Sequence, residues 1–173
     1  MINLEEATTR ILPGLTELIA DLGDGENGFG GTPVSRGEMT LPEYLQRCVD
    51  MTDALKLRPG HVPQTVFWVL DEFGEAVGIV RMRHYLNERL KDCGGHIGYY
   101  VRKDRRGKGY GREALRLALV ELRKIGEKRA MLTVDMDNPA SIQVIEANGG
   151  RLESTGQDED GKAFGRFWIE LED

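Results

Sequence analysis

Gly107, Gly109 and Gly111, interleaved with Arg105, Arg106, Lys108 and Arg112, are residues whose natural chemistry is anion binding. The stretch Gly95-His96-Ile97-Gly98-Tyr99-Tyr100-Val101 leads into them and an amphipathic run follows, so the pattern predicts a strand, a glycine-rich turn and a helix start. Backbone N–H groups at a helix start have no intrahelical partner and sit at the positive end of the helix dipole. A phosphate placed there gains hydrogen bonds and favourable electrostatics together. Glycine permits positive φ and close approach, so the amides from Gly107 to Arg112 can converge on one diphosphate, with Arg106, Lys108 and Arg112 as mobile charge beside it. Two other phosphate motifs fail on detail. A Walker loop needs Ser or Thr after its Gly-Lys, where this chain has Gly109, and a dinucleotide fingerprint needs G-x-G-x-x-G rather than G-x-G-x-G.

One strand further on stands Asp135-Met136-Asp137-Asn138-Pro139-Ala140-Ser141. Together with the order R-G-K-G-Y-G after Val101, it resembles the GNAT acyltransferase superfamily, whose signature is (R/Q)-x-x-G-x-(G/A). The resemblance spans Val66 to Leu171. It implies a GNAT fold, a mixed and mostly antiparallel α/β sheet with helices on both faces and its two middle strands splayed apart at one end. It also implies acetyl-CoA as co-substrate, with no metal. Arg106 then opens the signature, Gly109 and Gly111 fill its small positions, and Gly107, Lys108, Tyr110 and Arg112 complete the diphosphate loop. Tyr99, Tyr100 and Val101 flank the bound arm, a strand amide near Val101 polarises the thioester carbonyl, and Asn138 and Ser141 meet the pantetheine.

Composition is consistent with such an enzyme. At 173 residues, 40% hydrophobic and 30% charged, the chain reads as one globular domain, 1–173, with a helical part over 1–65 shaping the acceptor side and a core over 66–171. Acidic residues number 29 against 23 basic ones, a net charge of −6, which argues against nucleic acid as partner. The basic cluster Arg102, Lys103, Arg105, Arg106, Lys108 and Arg112 reads as a phosphate-sized patch on an acidic body. No apolar run is long enough to span a membrane, and Glu5, Glu6 and Arg10 do not suit a signal peptide, so the reading is cytoplasmic. Cys48 and Cys93 read as reduced thiols.

The elements that must position the loop follow from periodicity. Leu4, Ala7, Ile11, Leu15, Leu18, Ile19 and Leu22 approximate a helical stripe broken at Pro13-Gly14, which predicts two short helices. Residues 23–31 are glycine-rich and read as a loop, and a helix is expected from Leu41 to Leu55, with Thr40 and Glu43 forming a capping box. A hairpin is expected from Val66–Leu70 and Ala76–Met82, then a polar link, then a strand to Val101. The helix from Gly109 to Gly126 should bury Leu115, Ala118, Leu119, Leu122 and Ile125. A strand over Arg129–Met136, a helix capped by Asn138 and a closing hairpin complete the order β β β α β α β β.

Acyl transfer to an amine needs a neutral amine, a donor for the oxyanion and often an acid for the departing thiolate. The resembled family usually supplies that acid from a tyrosine, and the matching position here is Ile145, which has no proton to give. Unassisted departure, Tyr99 and Tyr100 remain as alternatives. For the base, His96 comes first, because its ordinary pKa near 6.5 suits the task. His84 comes second and Asp135 third. Trp68 and Trp168 read as core or as walls of the acceptor pocket. The expected activity is N-acetylation of a small-molecule or protein amine by direct transfer in a ternary complex. The acidic surface suits a cationic amine, charge balance leaves polyamine, amino acid, antibiotic and protein lysine all open, and a homodimer is left open. An acyl-CoA-binding sensor without turnover is the alternative that Ile145 favours.

Overall fold

The computed structural model describes residues 1–172, and the sheet at its centre follows from the apolar runs. The described strands and helices, in chain order, are β1 (Asn3–Glu6), α1 (Leu15–Leu22), β2 (Gly25–Glu26), β3 (Phe29–Gly30), α2 (Leu41–Asp50), β4 (Gln64–Leu70), β5 (Ala76–Arg83), α3 (Glu88–Asp92), β6 (Ile97–Val101), α4 (Tyr110–Lys124), β7 (Arg129–Asp135), α5 (Pro139–Ala147), β8 (Arg151–Gln157) and β9 (Ala163–Glu170). The first sheet has the order β1-β4-β5-β6 and the second β7-β9-β8, with all pairings antiparallel. Both faces of β4 and β5 are covered, which is why their sequences are apolar almost without alternation. On one face Leu115, Ala118 and Leu122 of α4 pack against Phe67, Val69, Val80 and Ile97. On the other, α1 and α2 bring Leu15, Leu18 and Leu45 onto Val66, Trp68 and Ile79.

Several expectations need correction. The N-terminal stripe is not two helices: Asn3–Glu6 pairs with β4, and only Leu15–Leu22 is helical. Ile2 and Leu4, two residues apart, fill the α4-side core, and the edge of β4 satisfies the backbone that a short helix would have left to water. The glycine-rich segment carries the hairpin β2–β3, turned by Asn27 and Gly28 at φ 49° and 83°. Two positive φ values in an Asn-Gly pair are the signature of a two-residue hairpin turn. The capping box of α2 is present, with the Glu43 N–H donating to Thr40 Oγ1 at 3.3 Å and the Thr40 N–H to Glu43 Oε2 at 2.9 Å. That helix stops at Asp50, leaving Leu55 exposed. The polar link holds α3, and Ile125, just past the end of α4, is exposed rather than buried.

The two sheets meet where the residues just before β6 lie against the middle of β7. Gly95 bridges Leu132, the His96 N–H donates to the Met131 carbonyl at 2.7 Å, and the Met131 N–H donates to His96 Nδ1 at 2.9 Å. The imidazole thus stands in for a missing carbonyl at the last rung of the ladder. Gly95 permits this approach, because a Cβ there would lie 2.3 Å from the Met131 oxygen. Beyond that rung the strands part, giving the splayed sheet.

Candidate active site

The splay aims main chain at a gap. Arg83 and Arg102 donate their N–H groups to His96 and Val77, so even-numbered residues of β6 bond to β5. In an antiparallel ladder the alternate residues point the other way, which directs the N–H groups of Tyr99 and Val101 toward β7. A cleft of about 300 Å³ opens there, lined by Tyr99, Tyr100 and Val101 of β6, by Arg106, Gly107 and Gly109 of the turn, by Tyr110, Gly111 and Arg112 of α4, and by Asn138 and Ser141 at α5. Lys108 lies on the turn but does not line the cleft.

The turn is built for an anion. Gly107 and Gly109 both have φ 78°, where L side chains are strained, and a Cβ on Gly109 would meet no protein atom within 4 Å. Among the described residues, no N–H from Gly107 through Arg112 has an acceptor, and the first amide of the turn that does is Glu113, bonded to the Gly109 carbonyl. Six adjacent unpaired donors at the start of a fifteen-residue helix fit a diphosphate.

The basic cluster around the turn is mostly not free charge. Arg102 is paired with Asp104 and Glu75, at 2.6 Å and 3.0 Å, and Arg105 with Asp71 and Glu75, at 2.9 Å and 2.8 Å. The Lys103 main-chain N–H donates to Asp21 Oδ2 at 3.0 Å, and its Nζ donates to the Asp21 carbonyl at 3.4 Å. Arg106, expected to be mobile, donates to the Val101 carbonyl at 3.0 Å and to Glu26 at 2.7 Å, and so ties β6 to the β2–β3 hairpin. Only Lys108 and Arg112 make no side-chain ion pair or hydrogen bond among the described residues. The three locked arginines and the Lys103 main chain fasten the turn to β4–β5, the β2–β3 hairpin and α1, which supply Asp71 and Glu75, Glu26, and Asp21. Burial pushes the Asp71 carboxyl up, but N–H donors from Glu75 and Phe73 and the Arg105 guanidinium outweigh it and hold the group below the usual carboxylate range.

The candidate acids and bases separate sharply. The Tyr99 hydroxyl lies 2.7 Å from Ser141 Oγ at the mouth of the splay, and burial raises its pKa. The Tyr100 hydroxyl points away, donating to Asp21 Oδ2 at 2.7 Å, while its ring walls the cleft under Arg106. The Asn138 side chain caps α5 through the Ser141 N–H at 3.3 Å, with Pro139 in the first turn. Ile145 is fully buried in the core. His96 is 2% exposed, is held by Met131 and lies 3.1 Å from Glu127 through Nε2, and lines neither the cleft nor the cavity beside it. His84 is bonded to Thr65 at 2.7 Å and likewise lines neither. Burial lowers the pKa of each imidazole. Asp135, at the open end of β7, does reach the cavity, 3.2 Å from Lys162 Nζ.

Residues 36–149 match the model of the acetyltransferase (GNAT) family. The chain belongs to the GNAT acetyltransferases. It is an acyltransferase. No curated protein matches it by sequence. Among solved structures it resembles the ribosomal-protein-S5-alanine acetyltransferase of Vibrio fischeri, with a TM-score of 0.72 and 16% identity over 99% of this chain and 94% of that one. It also resembles yncA of Salmonella typhimurium, solved with its cofactor acetyl-CoA, with a TM-score of 0.67 and 15% identity over 100% and 95%. A third is a spermidine N-acetyltransferase SpeG chimera from Vibrio cholerae and hSSAT, with a TM-score of 0.67 and 17% identity over 98% and 96%. At these identities the likeness is one of fold.

This GNAT chain has a second cavity, of about 310 Å³, which shares Asn27, Phe29, Tyr99 and Ser141 with the first and so continues it through the splay. Its walls come from pieces that sequence reading missed: the β2–β3 turn, Arg81 and Arg83 of β5, and Cys93-Gly94. The Asn27-Gly28 pair was the one local signal. Trp168 stacks under Arg129 at 4.3 Å, and neither it nor the buried Trp68 lines this cavity. Among the described residues, no cluster of side chains is suited to a metal, and no helix is long and apolar enough to cross a membrane.

Proposed function

We propose that this chain is an acetyl-CoA-dependent N-acetyltransferase that moves the acetyl group directly to a primary amine in a ternary complex. The observation that carries the reading is the run of unpaired amides from Gly107 to Arg112 at one end of a cleft that passes through the β6–β7 splay into a second cavity. The amides and the start of α4 hold the diphosphate, and Arg112 adds charge. Acetyl-CoA, when bound, supplies an acyl group activated as a thioester. The N–H groups of Tyr99 and Val101 are the donors available to the acyl oxygen. The Tyr99 hydroxyl, oriented by Ser141, replaces the acid that Ile145 cannot supply, and its raised pKa keeps it protonated at neutral pH. Asp135, rather than His96 or His84, receives the amine, because it alone of the three reaches the acceptor cavity. The nitrogen bonds to the acyl carbon as the C–S bond breaks. The amine gives up a proton and the thiolate takes one, so the proton count balances.

His96 acts instead as the clasp that fixes where the splay begins. The whole chain, 1–173, works as a single domain in a cytoplasmic setting, residues 1–65 contributing the hairpin wall of the site. A thiol-release assay over an amine panel, with the N-acetyl product identified by mass, tests the reading. Release of CoA matched by N-acetyl product is expected. Tight acetyl-CoA binding without turnover on every amine would favour the sensor that the buried Ile145 allows, and a preference for ATP over acetyl-CoA would end both.

A further inference from the structure

Arg81 and Arg83 line the acceptor cavity and also a larger one, about 600 Å³, beneath α2. Both are half-buried, and neither has a carboxylate within ion-pair distance among the described residues. Their protein acceptors are backbone carbonyls: Arg81 Nη1 donates to Gly30 at 2.8 Å and Arg83 Nη1 to Gly95 at 2.9 Å. Arg81 also lies 4.1 Å above the Phe29 ring, which fixes its plane. Burial, then Arg81 and Arg89, pull the Arg83 pKa down, the mark of a guanidinium short of negative charge. This contrasts with Arg102, Arg105 and Arg106, each of which has a carboxylate.

A protein of net charge −6 that leaves two adjacent, half-buried arginines without counter-ions holds a site that an anion completes. The same cavity is lined by Asp135 and Asp158. Asp135 is paired with Lys162, Asp158 Oδ1 accepts from the N–H groups of Asp160 and Lys162, and among the described residues neither carboxylate lies within ion-pair distance of the two arginines. We infer that the acceptor is an amine that also carries a carboxylate, an amino acid in the simplest case, with Arg81 and Arg83 holding the carboxylate while the amine faces Asp135 and the splay. This replaces the cationic acceptor that the acidic surface suggested, because a polyamine would meet these guanidiniums unscreened. The inference rests on the transferase reading above.

The test compares each amino acid with its own carboxamide, and with spermidine, by thiol release in wild type, Arg81→Gln and Arg83→Gln. Wild type should favour the carboxylate form by roughly tenfold or more in kcat/KM, each variant should lose most of that preference, and acetyl-CoA affinity by calorimetry should stay within about twofold. The N-acetyl amino acid product should raise the melting temperature of wild type but not of Arg83→Gln. Two variants keep the test alive should one fail to fold. Equal use of carboxylate, carboxamide and spermidine, or a preference that survives in both variants, would overturn the inference alone. No thiol release from any amine would overturn the transferase reading and this one with it.

Discussion

The two ends of the candidate cleft present charge by opposite means. At the donor end six main-chain N–H groups stand unpaired while three of six nearby cations are spent on carboxylates of the protein itself. At the proposed acceptor end two side-chain guanidiniums donate to main-chain carbonyls and stand without counter-ions among the described residues. Backbone donors suit a constant ligand, because any residue carries them and only the local φ values matter. Side-chain cations suit a ligand that differs between relatives, because one substitution changes them. The locked arginines are the link: by pinning the turn to β4–β5 they keep the amides pointed at the cleft without spending hydration energy at the moment of binding.

Tyr99 sits where the two ends join, so removing its hydroxyl separates chemistry from recognition. Tyr99→Phe should lower kcat by roughly 100-fold, within the usual span of a general acid, with acetyl-CoA affinity nearly unchanged. Because burial raises the Tyr99 pKa, the wild-type rate should hold on the alkaline side to beyond about pH 10 before the acid is lost, the ordinary tyrosine value. A kcat of wild-type size in the phenylalanine variant would leave the thiolate to depart unassisted. Next in size, Gly109→Val should weaken acetyl-CoA binding by about tenfold or more, ~1.4 kcal/mol. The cost comes from φ 78° and from a side chain projecting into the open cleft, since no protein atom lies within 4 Å of the new Cβ. Calorimetry on a variant with unchanged circular dichroism checks it.

The same contrast explains what the sequence disclosed. The donor end is one continuous stretch, so glycine spacing, the strand before it and Asn138-Pro139 after it were readable in order. So were the β4–β5 hairpin, α4 and the closing strands, whose runs are long and bounded by turn residues. The first strand was not, because Asn3–Glu6 is too short to show alternation and Leu4, Ala7 and Ile11 mimic a helical stripe. The basic cluster misled because a charge's partner is not visible along the chain: Asp71, Glu75 and Glu26 lie far from Arg102, Arg105 and Arg106 in sequence. His96 misled for a similar reason, its role being set by Met131 on another strand. The acceptor cavity draws on 27–30, 81–83, 93–94, 132–135 and 158–164, and no window contains enough of it to be seen.

The locked cations provide the smaller effects. Asp71→Asn keeps an oxygen for the N–H groups of Phe73 and Glu75 but turns an N–H donor toward Arg105, and should cost about 1 kcal/mol of stability at pH 7. Because the folded carboxyl titrates below its unfolded value, its contribution is complete above the ordinary carboxylate pKa of about 4 and is lost as pH falls through the folded one. Urea melts of wild type and variant should therefore differ at pH 7 and draw together in acid; a gap that widens toward low pH would refute the assignment. Arg112, free and at the rim of the cleft, should matter least: Arg112→Ala should weaken acetyl-CoA binding by no more than about threefold, and raising the salt from 0.05 M to 0.5 M should erase most of that difference. A loss larger than that of Gly109→Val would mean that side-chain charge, not oriented main chain, holds the diphosphate, and the division between the two ends of the cleft would fail at its donor half.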